Sequence, residues 1–324
     1  MIIEIPDVWD DVAERHQAHL RSTIPKNLQR YRKHLEVGPQ SRAIYDVRRF
    51  LRKHLRTIIE GDAIKCIEIA KDFDQVIGAT CPDRKFILSF LAKAFDYQAF
   101  RDERFGWGAY ELCDKARYTV CPYCHLHPTE TVVPFAEGGG YRPQLDHVLS
   151  QGNYPFLALS LGNLIPVCGQ CNGPQMKFTK DFLNPVHLHP LKDAAVVRFS
   201  LKPAGTGSWT ESLWAMREKM GSYEIDIDTA NDSAASQSVS TFKLRPRYHQ
   251  YLHDAYRIAK VAAGGRSAFS ASVLATTNLR ITLEDELGFP HSGDAYKHVP
   301  QGRMRRDVYF SQLIRSFGAP PGAP

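Results

Sequence analysis

Two kinds of residue in this chain carry chemistry. Four cysteines form two tight pairs, Cys121-x-x-Cys124 and Cys168-x-x-Cys171. Four thiolates complete the tetrahedral shell of Zn2+, and a shell with no open position holds structure and does no chemistry. In a chain without a secretory layout, paired Cys-x-x-Cys is more often a metal site than a disulfide. The other three cysteines, Cys66, Cys81 and Cys113, are scattered and read as small buried hydrophobes. One ion on the two pairs ties off the 43 residues between Cys124 and Cys168. That loop holds Asp146-His147 and Asn163, and Asn172 directly follows the last cysteine. Asp146 offers a carboxylate oxygen and Asn172 an amide oxygen, ligands that suit a hard cation such as Mg2+ or Mn2+ better than zinc. A neutral His147, with an ordinary pKa near ~6.5, is a suitable base for a water molecule.

The order and spacing of these residues resemble the HNH endonuclease motif, in the version whose ββα-metal fold is braced by four cysteines. Asn163 lies 16 residues after His147, and Asn172 lies 9 after Asn163, intervals that suit a hairpin followed by the start of a helix. The resemblance implies that His147 is the general base, Asp146 and Asn172 hold the catalytic ion, and Asn163 supports the loop and orients the His-bearing strand. The wider string, Pro143-Gln144-Leu145-Asp146-His147-Val148-Leu149 and then Asn153-Tyr154-Pro155, is similar to the PtuB-like HNH nuclease subunit of Septu-type anti-phage systems. So is the His-Pro segment His187-Leu188-His189-Pro190, whose histidines read as structural residues in a turn. That likeness implies DNA cleavage or nicking in bacterial defence, alongside an ABC-type ATPase partner. Two positions depart from it. Ser150-Gln151 stands where the family often has Pro-Lys, and the lysine after Cys-Asn arrives late, at Lys177. Both departures argue against a phosphate contact from those positions.

The elements that must position these residues read as α+β and mostly helical, with a central ββα-metal HNH domain flanked by a helical N-terminal and a mixed C-terminal region. Residues 1–112 are helical, 113–190 form the zinc-braced nuclease domain, 191–317 are mixed α/β and 318–324 form a disordered tail. Ile44, Val47, Leu51, Leu55 and Ile58 recur every three or four positions and predict a helix over 42–59. Further helices are predicted over 64–77, 84–97, 246–263 and 301–317. Strands are predicted at 196–199 and 223–227, and a short β-type run at Thr131-Val132-Val133. The small, polar residues 230–240 read as a linker or loop.

With 43% hydrophobic and 23% charged residues among 324, the chain has the make-up of a folded protein, not of a collagen-like or disordered one. No apolar run is long enough for a membrane span, and the acidic start lacks a signal-peptide layout, so a soluble, cytoplasmic protein is expected. Residues 21–60 carry 11 Lys and Arg against 3 Asp and Glu, a local +8 in a chain of net +6. A basic patch of that density fits a polyanion, and also a solvated helix face. Two other functions remain open: a zinc-braced nucleic-acid-binding or assembly module without catalysis, and an HNH nuclease acting on RNA.

Overall fold

Helices fill most of residues 13–114 because apolar side chains recur there at helical spacing. In the computed structural model, residues 1–37, 42–103, 106–135, 138–264, 284–285, 287–290 and 293–317 are described. They form an α+β protein, about half helical, with two small antiparallel sheets. The chain divides into two compact units: Glu4–Pro122 with Pro128–Ala194, and Met1–Ile3 with Tyr123–His127 and Ala195–Pro324. No described helix is long and apolar enough to cross a membrane.

In the first unit, α1 (Ala13–Val37) turns His16, Leu20 and Ile24 inward at four-residue spacing. Helix α2 (Arg42–Glu60) buries Ile44, Val47, Phe50, Leu51, Ile58 and Ile59, while Leu55 is half-buried. Helix α3 (Ala63–Val76) starts where the Asp62 carboxylate accepts the Lys65 N–H, an N-cap that satisfies one of the unbonded donors of a first turn. The helix predicted over 84–97 forms as α4 (Arg84–Ala94) and ends three residues early, and Asp96 accepts the Ala99 N–H to start a separate short helix, α5 (Tyr97–Asp102). Helix α6 (Ala109–Asp114) follows.

Strands β1 (Gln144–His147) and β2 (Leu164–Val167) pair antiparallel, setting Asp146 opposite Ile165 and His147 opposite Leu164. The helix predicted to begin at Asn172 does not form: residues 169–193 run as turns, bends and irregular chain. Gly173-Pro174 turns the chain instead: the Gly173 N–H donates to the Gln170 carbonyl at 3.2 Å and the Met176 N–H to the Gly173 carbonyl at 3.0 Å, as suits two strong turn formers. The run Thr131-Val132-Val133 makes only a bridge from Val132 to Tyr141.

The second unit contains β3 (Arg198–Pro203), α7 (Glu211–Trp214) and β4 (Tyr223–Asp228). The two strands pair antiparallel with Phe199 opposite Ile227. Helices α8 (Ser233–Thr241), α9 (Leu244–His249), α10 (Leu252–Gly264) and α11 (Gly302–Phe317) follow. The linker predicted at 230–240 is therefore largely helix. Asp232 caps α8 by accepting the Ala235 N–H, and Ala235 and Val239 bury one side of it. Small polar residues masked that face in the sequence. The helix predicted over 246–263 is split between α9 and α10. From α11, the buried Arg303 pairs with Asp307 at 2.9 Å and donates to the Ala195 and Val197 carbonyls, anchoring the segment that leads into β3. The predicted tail, 318–324, lies outside the described residues.

Candidate active site and metal centre

The two Cys-x-x-Cys pairs, with 43 residues between them in sequence, converge. Cys121, Cys124, Cys168 and Cys171 are buried, none is in a disulfide, and their sulfurs lie within 4.8 Å of one another. Four Zn–S bonds of about 2.3 Å arranged as a tetrahedron place the sulfurs about 3.8 Å apart. The donor set therefore fits a zinc-sized ion. Local turns shape the second pair: the Asn172 N–H donates to the Cys168 carbonyl at 3.2 Å, and the Lys177 N–H to the Cys171 carbonyl at 3.0 Å. At the first pair, Tyr248 Oη donates to the Cys124 carbonyl at 2.7 Å, and the Tyr123 ring stacks on Phe242 at 4.4 Å. Cys66 and Cys113 are of another kind. Burial pushes both thiols up to about 12, which makes them poor nucleophiles. Cys81, expected buried, is half-buried.

At the end of β1, Asp146 is 2% exposed and His147 is 9% exposed. The two residues line one cleft of about 500 Å3 together with Ser150, Gln151, Asn172 and Lys177, and Leu88, Ser89 and Ala92 of α4 form a further wall. His147 Nε2 lies 2.9 Å from the Ala158 carbonyl. A carbonyl only accepts, so Nε2 carries the hydrogen and the neutral ring keeps its lone pair on Nδ1. Burial holds the His147 pKa below the usual histidine range, against the Ala158 carbonyl and Asp146, which raise it. The Tyr97 ring meets the imidazole edge to face at 4.5 Å and fixes its plane.

The Ala158 carbonyl comes from the loop between β1 and β2, and three helices hold that loop. His16 of α1 bonds the Leu159 carbonyl at 2.8 Å, Ser160 Oγ donates to Ile58 of α2 at 2.6 Å, and Tyr154 Oη donates to Asp74 of α3 at 2.6 Å. Phe156 is fully buried against Phe50 and Phe73. Gly162 passes so close to α3 that a Cβ there would lie 2.4 Å from the Asp62 backbone, which excludes any other residue. Asn163 is fully buried and ties the loop to itself. Its Oδ1 accepts the Leu149 N–H at 2.7 Å, while Nδ2 donates to the Leu149 and Leu157 carbonyls at 3.1 and 3.2 Å.

Sequence reasoning missed the role of Lys177. Although it lines the cleft, it is 1% exposed, with Nζ donating to the His147 and Lys180 carbonyls and lying 3.5 Å from Asp146 Oδ1. Its place after Cys-Asn and the turn formers Gly173-Pro174 were the only local signals, and neither says that the turn lays the lysine against Asp146. Tyr97 and the Ala158 carbonyl were equally invisible, since neither carries a motif. His187 stacks on Phe182 at 3.9 Å, and both it and His189 line a separate cavity of about 240 Å3.

Comparison with family models, with curated proteins and with solved structures found no match to this chain.

Proposed function

We propose that this chain is a metal-dependent endonuclease of the HNH type that hydrolyses phosphodiester bonds of DNA, braced by a structural zinc ion on Cys121, Cys124, Cys168 and Cys171. The observation that carries the proposal is the bond from His147 Nε2 to the Ala158 carbonyl, beside a cleft that Asp146 and Asn172 also line. With Nε2–H donated and the ring held neutral by burial, His147 accepts a proton at Nδ1 from the water whose oxygen attacks phosphorus. The P–O bond to the departing sugar oxygen breaks, and that oxygen takes a proton from solvent. When bound at Asp146 and Asn172, Mg2+ or Mn2+ supplies charge neutralisation to the phosphate and the leaving oxygen. Asn163 is a positioning residue, since it holds the loop that presents the Ala158 carbonyl.

The likeness to Septu-type subunits extends the proposal to cytoplasmic anti-phage defence with an ABC-type ATPase partner. The test is supercoiled plasmid incubated with the protein in Mg2+, Mn2+ or EDTA, beside His147→Ala and with a structured RNA in parallel. Metal-dependent nicking or linearisation by wild type alone is the expected result. Equal cleavage by His147→Ala overturns the assignment of the base, and cleavage of RNA alone reassigns the substrate.

One observation favours a second function. A buried ammonium beside Asp146 already balances the carboxylate that the catalytic ion would need. A zinc-braced binding or assembly module without catalysis is consistent with that pairing. In that case Mn2+ does not bind outside the thiolate site, and any phenotype depends on the four cysteines but survives loss of His147.

A further inference from the structure

The outer face of α2 is a continuous basic stripe. Arg42, Tyr45, Arg49, Arg52, Lys53 and Arg56 fall within about 100° of one another at 3.6 residues per turn. All six are exposed: side-chain exposure is 94% at Arg42, 69% at Lys53 and 87% at Arg56, and Tyr45 is 61% exposed. The opposite face is covered, because Phe50 packs against Phe73 and Phe156. Acidic side chains meet only part of this charge. Arg42 pairs with Asp46 at 3.8 Å, Lys53 with Asp72 at 3.2 Å and Arg56 with Glu60 at 2.9 Å. Among the described residues, Arg48, Arg49 and Arg52 have no ion-pair partner.

This arrangement works against the helix. Arg48–Arg52, Arg49–Arg52, Arg49–Lys53, Arg52–Arg56 and Lys53–Arg56 are all three or four residues apart, the spacings at which like charges destabilise a helix. A face that served only as a solvated surface would be relieved by mixing signs. A polyanion relieves it directly.

Taking its partner from the nuclease function above, we propose that this face of α2 docks the phosphate backbone of duplex DNA. From Arg42 to Arg56 the helix runs about 21 Å, which matches roughly six phosphate repeats along one strand of a duplex. An uninterrupted helix, with no proline or glycine between Arg42 and Glu60, presents its charges along one side, as a duplex presents its phosphates along each strand. Guanidinium groups make up most of the stripe and bond phosphate through two N–H groups at once.

The test measures binding, not cleavage, so that it fails separately from the nuclease function. A short fluorescent DNA duplex is titrated with the full-length His147→Ala protein, with no added Mg2+ or Mn2+ and no chelator so that the thiolate site keeps its zinc, over a salt series, with and without Arg49→Ala/Arg52→Ala. Losing two phosphate contacts should lower the salt slope by about 2 and weaken binding by tens-fold near 0.1 M salt. The double variant should melt at or above the wild-type temperature, because like-charge contacts have been removed, so misfolding does not mimic the result. An unchanged slope overturns the proposal, even if wild type cleaves plasmid. A loss confined to RNA competitors or to polyglutamate, with duplex binding intact, overturns it too and reassigns the face to single-stranded RNA or an acidic protein. A lowered slope with no cleavage by wild type under any condition keeps the surface and removes the nuclease function.

Discussion

Asn163 is the residue on which the candidate site leans most, and its contribution can be worked out bond by bond. The side chain is fully buried and makes three hydrogen bonds, one to the Leu149 N–H and two to the Leu149 and Leu157 carbonyls. In Asn163→Ala, the Leu157 carbonyl still accepts the Ser160 N–H at 3.2 Å, but both backbone groups of Leu149 lose their partner while Leu149 stays 1% exposed. A net bond contributes about 1 kcal/mol, and a buried group left unbonded costs about 1–3 kcal/mol more, so the substitution should destabilise the loop by about 3–5 kcal/mol. At about 1.4 kcal/mol per tenfold, exchange of the Leu149 amide hydrogen should quicken by two decades or more. The isosteric Asn163→Asp separates polarity from shape. It keeps an acceptor for the Leu149 N–H but faces the two carbonyls with oxygen where they had a donor, so it should protect no better than alanine. Hydrogen exchange of the 144–163 segment reads both variants. A change of less than tenfold in Asn163→Ala, or wild-type protection in Asn163→Asp, would refute the view that this side chain holds the loop presenting the Ala158 carbonyl.

Other outcomes follow from the same structure. Cys168→Ser, or a strong chelator, should release about one equivalent of zinc per chain and loosen the segments around Cys121–Cys124 and 168–177, read by metal analysis and limited proteolysis, because metal binding and folding are coupled. Phe156→Ala should cost about 3–5 kcal/mol in denaturant unfolding, since the ring is fully buried between Phe50 and Phe73. Lys177→Met should cost about 3–5 kcal/mol by stranding the buried Asp146 carboxylate, seen as a lowered Tm. Burial holds His16 and His189 down at about 4 in the folded protein. Both are neutral when folded, whereas the unfolded chain takes up protons from about 6.5 downward. Their contribution is therefore complete above pH ~6.5 and is lost as pH falls toward about 4. A melting temperature flat across that window would contradict it.

Much of the helical frame was legible, because it depends on short-range periodicity. The stripe of Ile44, Val47, Leu51 and Ile58 is read off spacing alone and is buried in the fold. Misreadings came where a polar residue changed the backbone's course. Asp96 caps a separate short helix just where the predicted one was to end, and Asp232 starts a helix in a stretch that looked like linker or loop. The helix expected after Asn172 was carried by the family resemblance, and Gly173-Pro174 turns the chain there instead.

By itself the sequence determined the donor chemistry: four thiols in two tight pairs, Asp146 beside His147, and the run of cations on α2. Residue type and local spacing suffice for that. Only the tertiary structure decided which nitrogen of His147 keeps its lone pair, since that rests on a carbonyl 11 residues away, held by α1, α2 and α3. It also decided that Lys177 lies against Asp146. Hydrogen bonds to backbone carbonyls and the burial of a charge depend on how distant segments fold back on one another, and no local pattern of side chains encodes that geometry.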